Sequence, residues 1–334
     1  MQNSRYMISL LAVTAINLTT ITASADTAVV ASIKPIHSLV AAVMEGVGDP
    51  TLIVDGAGSP HAYSLKPSQA VAIQEADLIF WIGHELEAFL EKPIETIGVK
   101  AKSIELADAD ELAKLGLREG GEFESHVHDE HSNTTAHEDA NHEDSGHAEA
   151  DHDDQAAHPA GAFNSHLWLD PHNAKAFVHE IEEALVEADP ANAGTYKENA
   201  TKVSAELDAL TAELQGMLEP VKDRGFVVFH DAYQNFEHRF GVAAIGSVTA
   251  SPETMPGAER IHEIQNRVQE LGATCVFAEP QFEPKLVAVV IEGTNARLGV
   301  LDPLGASLDD GPNLYFDLLR EMAVSMRDCL SEQS

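Results

Sequence analysis

The sequence predicts an α/β protein of two lobes, each a roughly four-stranded parallel sheet flanked by helices, joined by one long rigid helix. Three observations carry this expectation. Apolar, β-rich runs alternate with helical stretches between residues 27 and 106, and the alternation restarts at residue 225. Between them, the stretch 191–218 places Tyr196, Ala200, Val203, Leu207, Leu210, Leu214 and Met217 at three- and four-residue spacing, the signature of one helical face. A length of 334 residues suits about two domains.

The elements follow in order. Residues 1–25 read as a secretory signal: Arg5 is the lone charge, an apolar stretch covers 7–16, and Ala23-Ser24-Ala25 supplies a small-x-small cleavage site. The apolar stretch falls far short of the roughly 20 residues that span a bilayer. The segment holds no cysteine for lipid attachment. The mature chain is therefore expected in the periplasm without a membrane anchor. Strands are expected at 27–33, 51–54, 77–82 and 103–106, with helices near 36–47, 68–76 and 84–97, which together argue a parallel sheet covered by helices. After the segment SHLWLDPHNAKAF (165–177) a helix runs to about residue 188 and breaks at Asp189-Pro190. The second unit has strands at 225–229, 242–247, 274–278 and 297–301 and helices near 233–240, 258–271, 284–293 and 313–330. The divisions are thus 1–25, an N-terminal lobe over 26–189, a linking helix over 190–219 and a C-terminal lobe over 220–334.

One segment breaks the pattern. Residues 121–160 hold His126, His128, His131, His137, His142, His147, His152 and His158, with 12 Asp+Glu and no Lys or Arg. Such a composition buries no core, so a disordered loop inserted at about 119–162 is expected. Its scattered imidazoles among carboxylates suit weak, exchanging metal sites; the alternative is a solubilising spacer.

Composition narrows the function. The chain carries 55 Asp+Glu against 20 Lys+Arg, a formal net charge of −35. That balance argues against nucleic acid, which needs Lys and Arg to displace counterions, and against anionic lipid. It suits attraction of cations. Hydrophobic residues make up 44 % of the chain, ample for a packed core.

Parallel α/β sheets bind ligands beyond the carboxyl ends of their strands. The loop after 51–54 carries His61; His230 and Asp231 follow 225–229; Glu279 follows 274–278; Asp302 follows 297–301. His166 precedes the short apolar run LWL, with His172 as a nearby competitor. Three imidazoles with one carboxylate or water form a plausible zinc set, whereas manganese prefers more oxygen. Asp302 and Glu279, each before a proline, could equally be turn or cap residues. His37, His84, His179, His238 and His262 read as surface or helix residues. Cys275 and Cys329 form an even pair in an exported chain; a bridge or two buried thiols both remain open at this point.

The segments SIKPIHSLVAAVM, GSPHAYSLKPSQ, ADLIFWIG, HLWLDPHNA, FHDAYQNFEHRFG, FAEPQF and LDPLG together resemble the periplasmic zinc-binding proteins of ABC importers, the ZnuA type, over essentially the whole mature chain. The acidic, His-rich insertion matches that family too. The resemblance implies zinc as the bound ion and His61, His166 and His230 as its ligands, with Asp302 at the fourth position unless another carboxylate or water stands there. It implies a Cys275–Cys329 disulfide, a metal site in the cleft between lobes, and 191–218 as the rigid linking helix. It further implies a monomeric carrier without catalysis that hands zinc to an inner-membrane ABC permease. No GxxxxGK[ST] loop occurs, so a separate cytoplasmic subunit hydrolyses ATP. Rival readings are a secreted zinc hydrolase, for which no HExxH occurs, a manganese or iron carrier, and a buffer whose main site is the loop.

Overall fold

The computed structural model describes residues 27–118, 162–249, 257–270, 272–282 and 284–331. The signal segment and the eight loop histidines, His126 to His158, lie outside these residues.

The chain builds two four-stranded, all-parallel sheets. The first contains β1 (Val29–Ile33), β2 (Thr51–Val54), β3 (Leu78–Trp81) and β4 (Lys102–Glu105) in the order β2-β1-β3-β4. The second contains β5 (Phe226–Val228), β6 (Ala244–Ser247), β7 (Cys275–Ala278) and β8 (Arg297–Val300) in the order β6-β5-β7-β8. The two orders are the same when counted from each lobe's first strand. In both, the chain leaves the first strand to one side and returns on the other. This puts a topological switch point between β1 and β3 and another between β5 and β7. A ligand crevice opens at the carboxyl side of such points.

Helices α1 (Lys34–Val43), α2 (Pro67–Glu75) and α3 (His84–Thr96) flank the first sheet; α6 (Gln234–Phe240), α7 (Ala258–Glu270), α8 (Pro284–Ile291) and α9 (Leu314–Leu330) flank the second. Helix α1 starts earlier than its apolar pattern suggests because Pro35, with its φ already fixed, seats well in the first turn. Helix α3 is broken at Glu87, whose φ of −112° and ψ of 51° are not helical. Its buried carboxylate turns inward to accept from Ser32 Oγ at 2.5 Å and from the Gly83 amide at 3.0 Å. Burial pushes that carboxyl up to about 7.

Helix α4 (Pro171–Ala188) begins on Asp170, whose side chain accepts from the His172 amide. Helix α5 (Ala193–Leu218) follows after one 3₁₀ turn and has 26 residues, about 39 Å at 1.5 Å per residue. It buries Tyr196, Ala200, Val203, Leu207, Leu210, Leu214 and Leu218 against α1 and α4 from one lobe and α9 from the other. The helix is a rod laid along both lobes rather than a bare strut.

Other ties cross the same boundary. Trp168 Nε1 donates to the Pro303 carbonyl at 2.8 Å, and the Tyr315 hydroxyl donates to the Trp168 carbonyl at 2.7 Å. Arg239 grips Asp170 with both oxygens engaged, at 2.6 and 2.9 Å. Cys275 and Cys329 form a disulfide. It joins β7 to α9 across 54 positions, which in the chain-entropy account stabilises the fold by about 4 kcal/mol.

Candidate metal centre

Each of the three histidines is placed by a different local device. His61 rides on a single 3₁₀ turn, Pro60–Ala62, in the loop after β2. That turn packs on α3 and is steadied by Gln69, whose side-chain amide donates to Tyr63 at 2.9 Å. His166 precedes a second 3₁₀ turn, Leu167–Leu169, whose three apolar side chains are fully buried. They anchor the turn in the core and leave the imidazole at its edge. His230 stands just past the carboxyl end of β5.

The three imidazoles converge. One nitrogen from each lies within 4.8 Å of the others, the one such cluster of metal-binding side chains among the described residues. His61 Nε2 is 3.2 Å and His230 Nε2 is 3.3 Å from His166 Nε2. Four ligands at zinc–ligand distance in a tetrahedron stand about 3.3–3.4 Å apart. Two edges of that figure are already present.

The partners of the outer nitrogens fix the tautomers. His166 Nδ1 lies 2.9 Å from Asn164 Oδ1. The Asn164 amide cannot be turned round, because its nitrogen donates to the Asp231 carbonyl at 2.7 Å. His166 Nδ1 therefore carries the proton. His230 Nδ1 lies 2.7 Å from Glu279 Oε1, and a carboxylate accepts, so this Nδ1 is protonated as well. In the neutral imidazoles each of these Nε2 atoms then presents a lone pair, and the two nitrogens repel each other at 3.3 Å. A cation between them turns that repulsion into coordination.

Glu279 meets His230 for a topological reason. Strands β5 and β7 are parallel neighbours in a register that pairs Phe226 with Cys275 and Val227 with Val276. Continued past both strand ends, it sets residue 230 beside 279. The second oxygen of Glu279 is buried without a hydrogen-bond partner, as are Ser59 Oγ and Gln281 Oε1. All three residues line the same cavity as the imidazoles, walled on the apolar side by Trp168, Phe282 and Leu304. Behind them, burial pushes the Tyr233 phenol well above its ordinary range, and the charges of Glu279 and Asp302 push it further.

Asp302 behaves differently. Its carboxylate accepts from the main-chain amides of Leu304 at 3.1 Å, Gly305 at 3.0 Å and Ala306 at 2.6 Å, and from Gln281 Nε2 at 2.8 Å. It closes its own loop and does not belong to the converging cluster. Among the remaining described histidines, His37 is buried on α1 with Nε2 against the Pro50 carbonyl at 3.0 Å, and His84 pairs with Glu91 on the surface.

The model of the family described as "Zinc-uptake complex component A periplasmic", ZnuA, matches residues 29–329. The chain belongs to the ZnuA family. A high-affinity zinc uptake system protein ZnuA from Brucella suis biovar 1 is 54 % identical over 306 residues, covering 91 % of this chain and 92 % of that protein. The protein of the same name from Yersinia pestis is 34 % identical over 311 residues, covering 92 % of each. Among solved structures, a crystal structure of ZnuA superposes with a TM-score of 0.72 at 23 % identity, over 92 % of this chain and all of that one. A zinc-bound ZnuA lacking residues 138–173 of its own chain superposes at 0.69 and 22 % identity, over 93 % of this chain and all of that one. At these identities the superpositions speak for the fold. The three histidines come from both sides of α5 in the chain, His61 and His166 before it and His230 after it.

Two residues that matter here escaped the sequence reading as partners of the site. Asn164 is an ordinary polar residue two positions before His166, with no motif to mark it. Glu279 was visible as a strand-end carboxylate, but only the β5–β7 register shows which imidazole it serves.

Proposed function

We propose that this protein captures Zn2+ at His61, His166 and His230 in the periplasm and delivers it to an inner-membrane ABC permease for uptake. The observation that carries the reading is the convergence of three imidazoles, with His61 and His230 Nε2 each at tetrahedral spacing from His166 Nε2, and with the Nδ1 atoms of His166 and His230 held by Asn164 and Glu279. Membership of the ZnuA family supports it. An all-imidazole set favours zinc over manganese, which takes oxygen ligands more readily. Water or a small ligand completes the coordination in place of Asp302, whose oxygens are engaged elsewhere.

The chain acts as a monomeric carrier rather than an enzyme. The nearest carboxylate, Glu279, is committed to His230 and so is not poised as a general base. Residues 1–25 serve as the cleaved export signal. Among the described residues no helix is long and apolar enough to cross a membrane. The lobes divide at 26–189 and 220–334, with 190–219 between them. His126, His128, His131, His137, His142, His147, His152 and His158 form a dilute set of weaker, exchanging sites.

The test is zinc stoichiometry and affinity by competition with a chromophoric chelator, with and without residues 121–160. One tight site survives the deletion, and additional weak equivalents disappear with it. Loss of the tight site on deletion would make the loop the main site and sink this reading. Manganese offered in excess leaves the tight site occupied by zinc.

Glu279→Gln keeps the shape of the side chain and removes its charge. Orienting carboxylates behind a metal-bound histidine typically carry 10- to 100-fold of affinity, so zinc binding weakens by about that factor. An unchanged dissociation constant counts against the role assigned to Glu279.

A further inference from the structure

We propose that Asn164 is a positioning residue that sets the tautomer of His166 and ties this ligand to the strand end bearing His230; the inference rests on the zinc site proposed above. Asn164 is 2 % exposed, and its polar groups are engaged on several sides. Its side-chain oxygen accepts from His166 Nδ1 at 2.9 Å and from the His166 main-chain amide at 3.1 Å. Its side-chain nitrogen donates to the Asp231 carbonyl at 2.7 Å. Its own amide donates to the Leu115 carbonyl at 2.9 Å, and its carbonyl accepts from Asn235 at 3.4 Å.

The chemistry asks for an amide. One end must accept from two N–H groups of His166, and the other must donate to a carbonyl in the opposite lobe. Aspartate supplies the acceptor but sets oxygen against oxygen at Asp231. Alanine supplies neither. Without the acceptor, the His166 ring is free to turn over or to carry its proton on Nε2, the nitrogen that must face the metal.

The second end of Asn164 makes the arrangement a link between ligands. Asp231 immediately follows His230, so the Asn164 amide fixes the peptide next to one ligand with the same group that orients another. The Asp231 carboxylate is held from the facing segment by Arg118, with Arg118 Nε at 3.0 Å, and Arg118 also grips Glu237 at 2.9 Å. Gly116 and Phe163 form an antiparallel bridge beside these two residues. Arg118 and Asn164 therefore reach the His230–Asp231 segment from two sides of one stem.

The experiment uses the full mature chain and the variants Asn164→Ala and Asn164→Asp. Long-range 1H–15N correlation of the metal-free protein reads the His166 tautomer directly. The wild type shows Nδ1 protonated and Nε2 bare. Asn164→Ala loses that signature, and its zinc affinity falls about 10- to 100-fold. Asn164→Asp keeps the Nδ1–H signature while still losing affinity through the Asp231 contact, and it serves as the informative variant if the alanine protein does not fold by circular dichroism. A His166 tautomer unchanged in Asn164→Ala overturns the proposal, as does loss of the signature in a folded Asn164→Asp. If the wild type itself fails to bind zinc tightly, the functional reading falls, while the metal-free tautomer measurement still decides the role of Asn164.

Discussion

Replacing His166 with alanine weakens zinc binding by two to three orders of magnitude. A four-ligand zinc site is worth about 10–16 kcal/mol, so one ligand in four carries about 2.5–4 kcal/mol, which is about two to three powers of ten. His230→Ala produces a loss of the same size. In both cases the protein stays folded, because neither ring belongs to the apolar core. Asp302→Ala gives the contrasting result. Its oxygens hold the Leu304, Gly305 and Ala306 amides and Gln281 rather than joining the imidazoles. Its removal lowers thermal stability and leaves zinc affinity within a few-fold. Chelator competition on the three variants separates the cases. A His166→Ala protein that binds zinc like the wild type would falsify the site.

Acidification produces the second large effect. Zinc takes only neutral imidazole, and a free imidazole titrates near 6.5. Between pH 7.5 and 5.5 each ligand that must shed its proton costs about tenfold in affinity, so three ligands give a fall of up to about 10³-fold. Equal affinities at the two pH values contradict a three-histidine site. The fold responds to pH as well, and the signs differ. Burial lowers the pKa of His37; its contribution to stability is present above the unfolded value and is lost as pH falls through the folded one. Glu87 is raised to about 7 by burial; its contribution is present below the unfolded value and is lost as pH rises through about 7. Melting curves recorded alongside the zinc titration separate the loss of ligand affinity from the loss of fold.

Much of the architecture was legible because parallel strands buried on both faces are continuous apolar runs. Runs such as DLIFWI and TCVFA announce themselves, and the rule that ligands gather at strand ends gathers His61, His230, Asp231, Glu279 and Asp302 as candidates, from which the family resemblance selects the histidines. The break in α3 was not legible. Glu87 sits at a helical position, and only the fold shows Ser32 and the Gly83 amide waiting beneath it. The different partners of Asp302 and Glu279 were also beyond a linear reading. Asp302 and Glu279 occupy equivalent places, each after a strand and before a proline. One folds back on its own loop amides and the other reaches sideways to a neighbouring strand. Sheet order and register decide between these, and neither is written in any local pattern. The same holds for Asn164, whose partners His166 and Asp231 lie far apart in the chain and meet only in the fold.

The three imidazoles are not equally sheltered. His166 and His230 are buried, while His61 is only half-buried on a one-turn loop. The lobes that enclose the other two are fastened by α5, by Arg239 on Asp170 and by the Trp168 and Tyr315 bonds, so a wide hinge motion is not the easy path. For the zinc site proposed above, exchange therefore has a polarity. An incoming ligand from the aqueous side meets His61 first, and detaching that one turn opens the ion to a substitute while two imidazoles still hold it. Handover becomes a stepwise ligand substitution that begins at a single flap, with the rest of the molecule serving as a fixed vice.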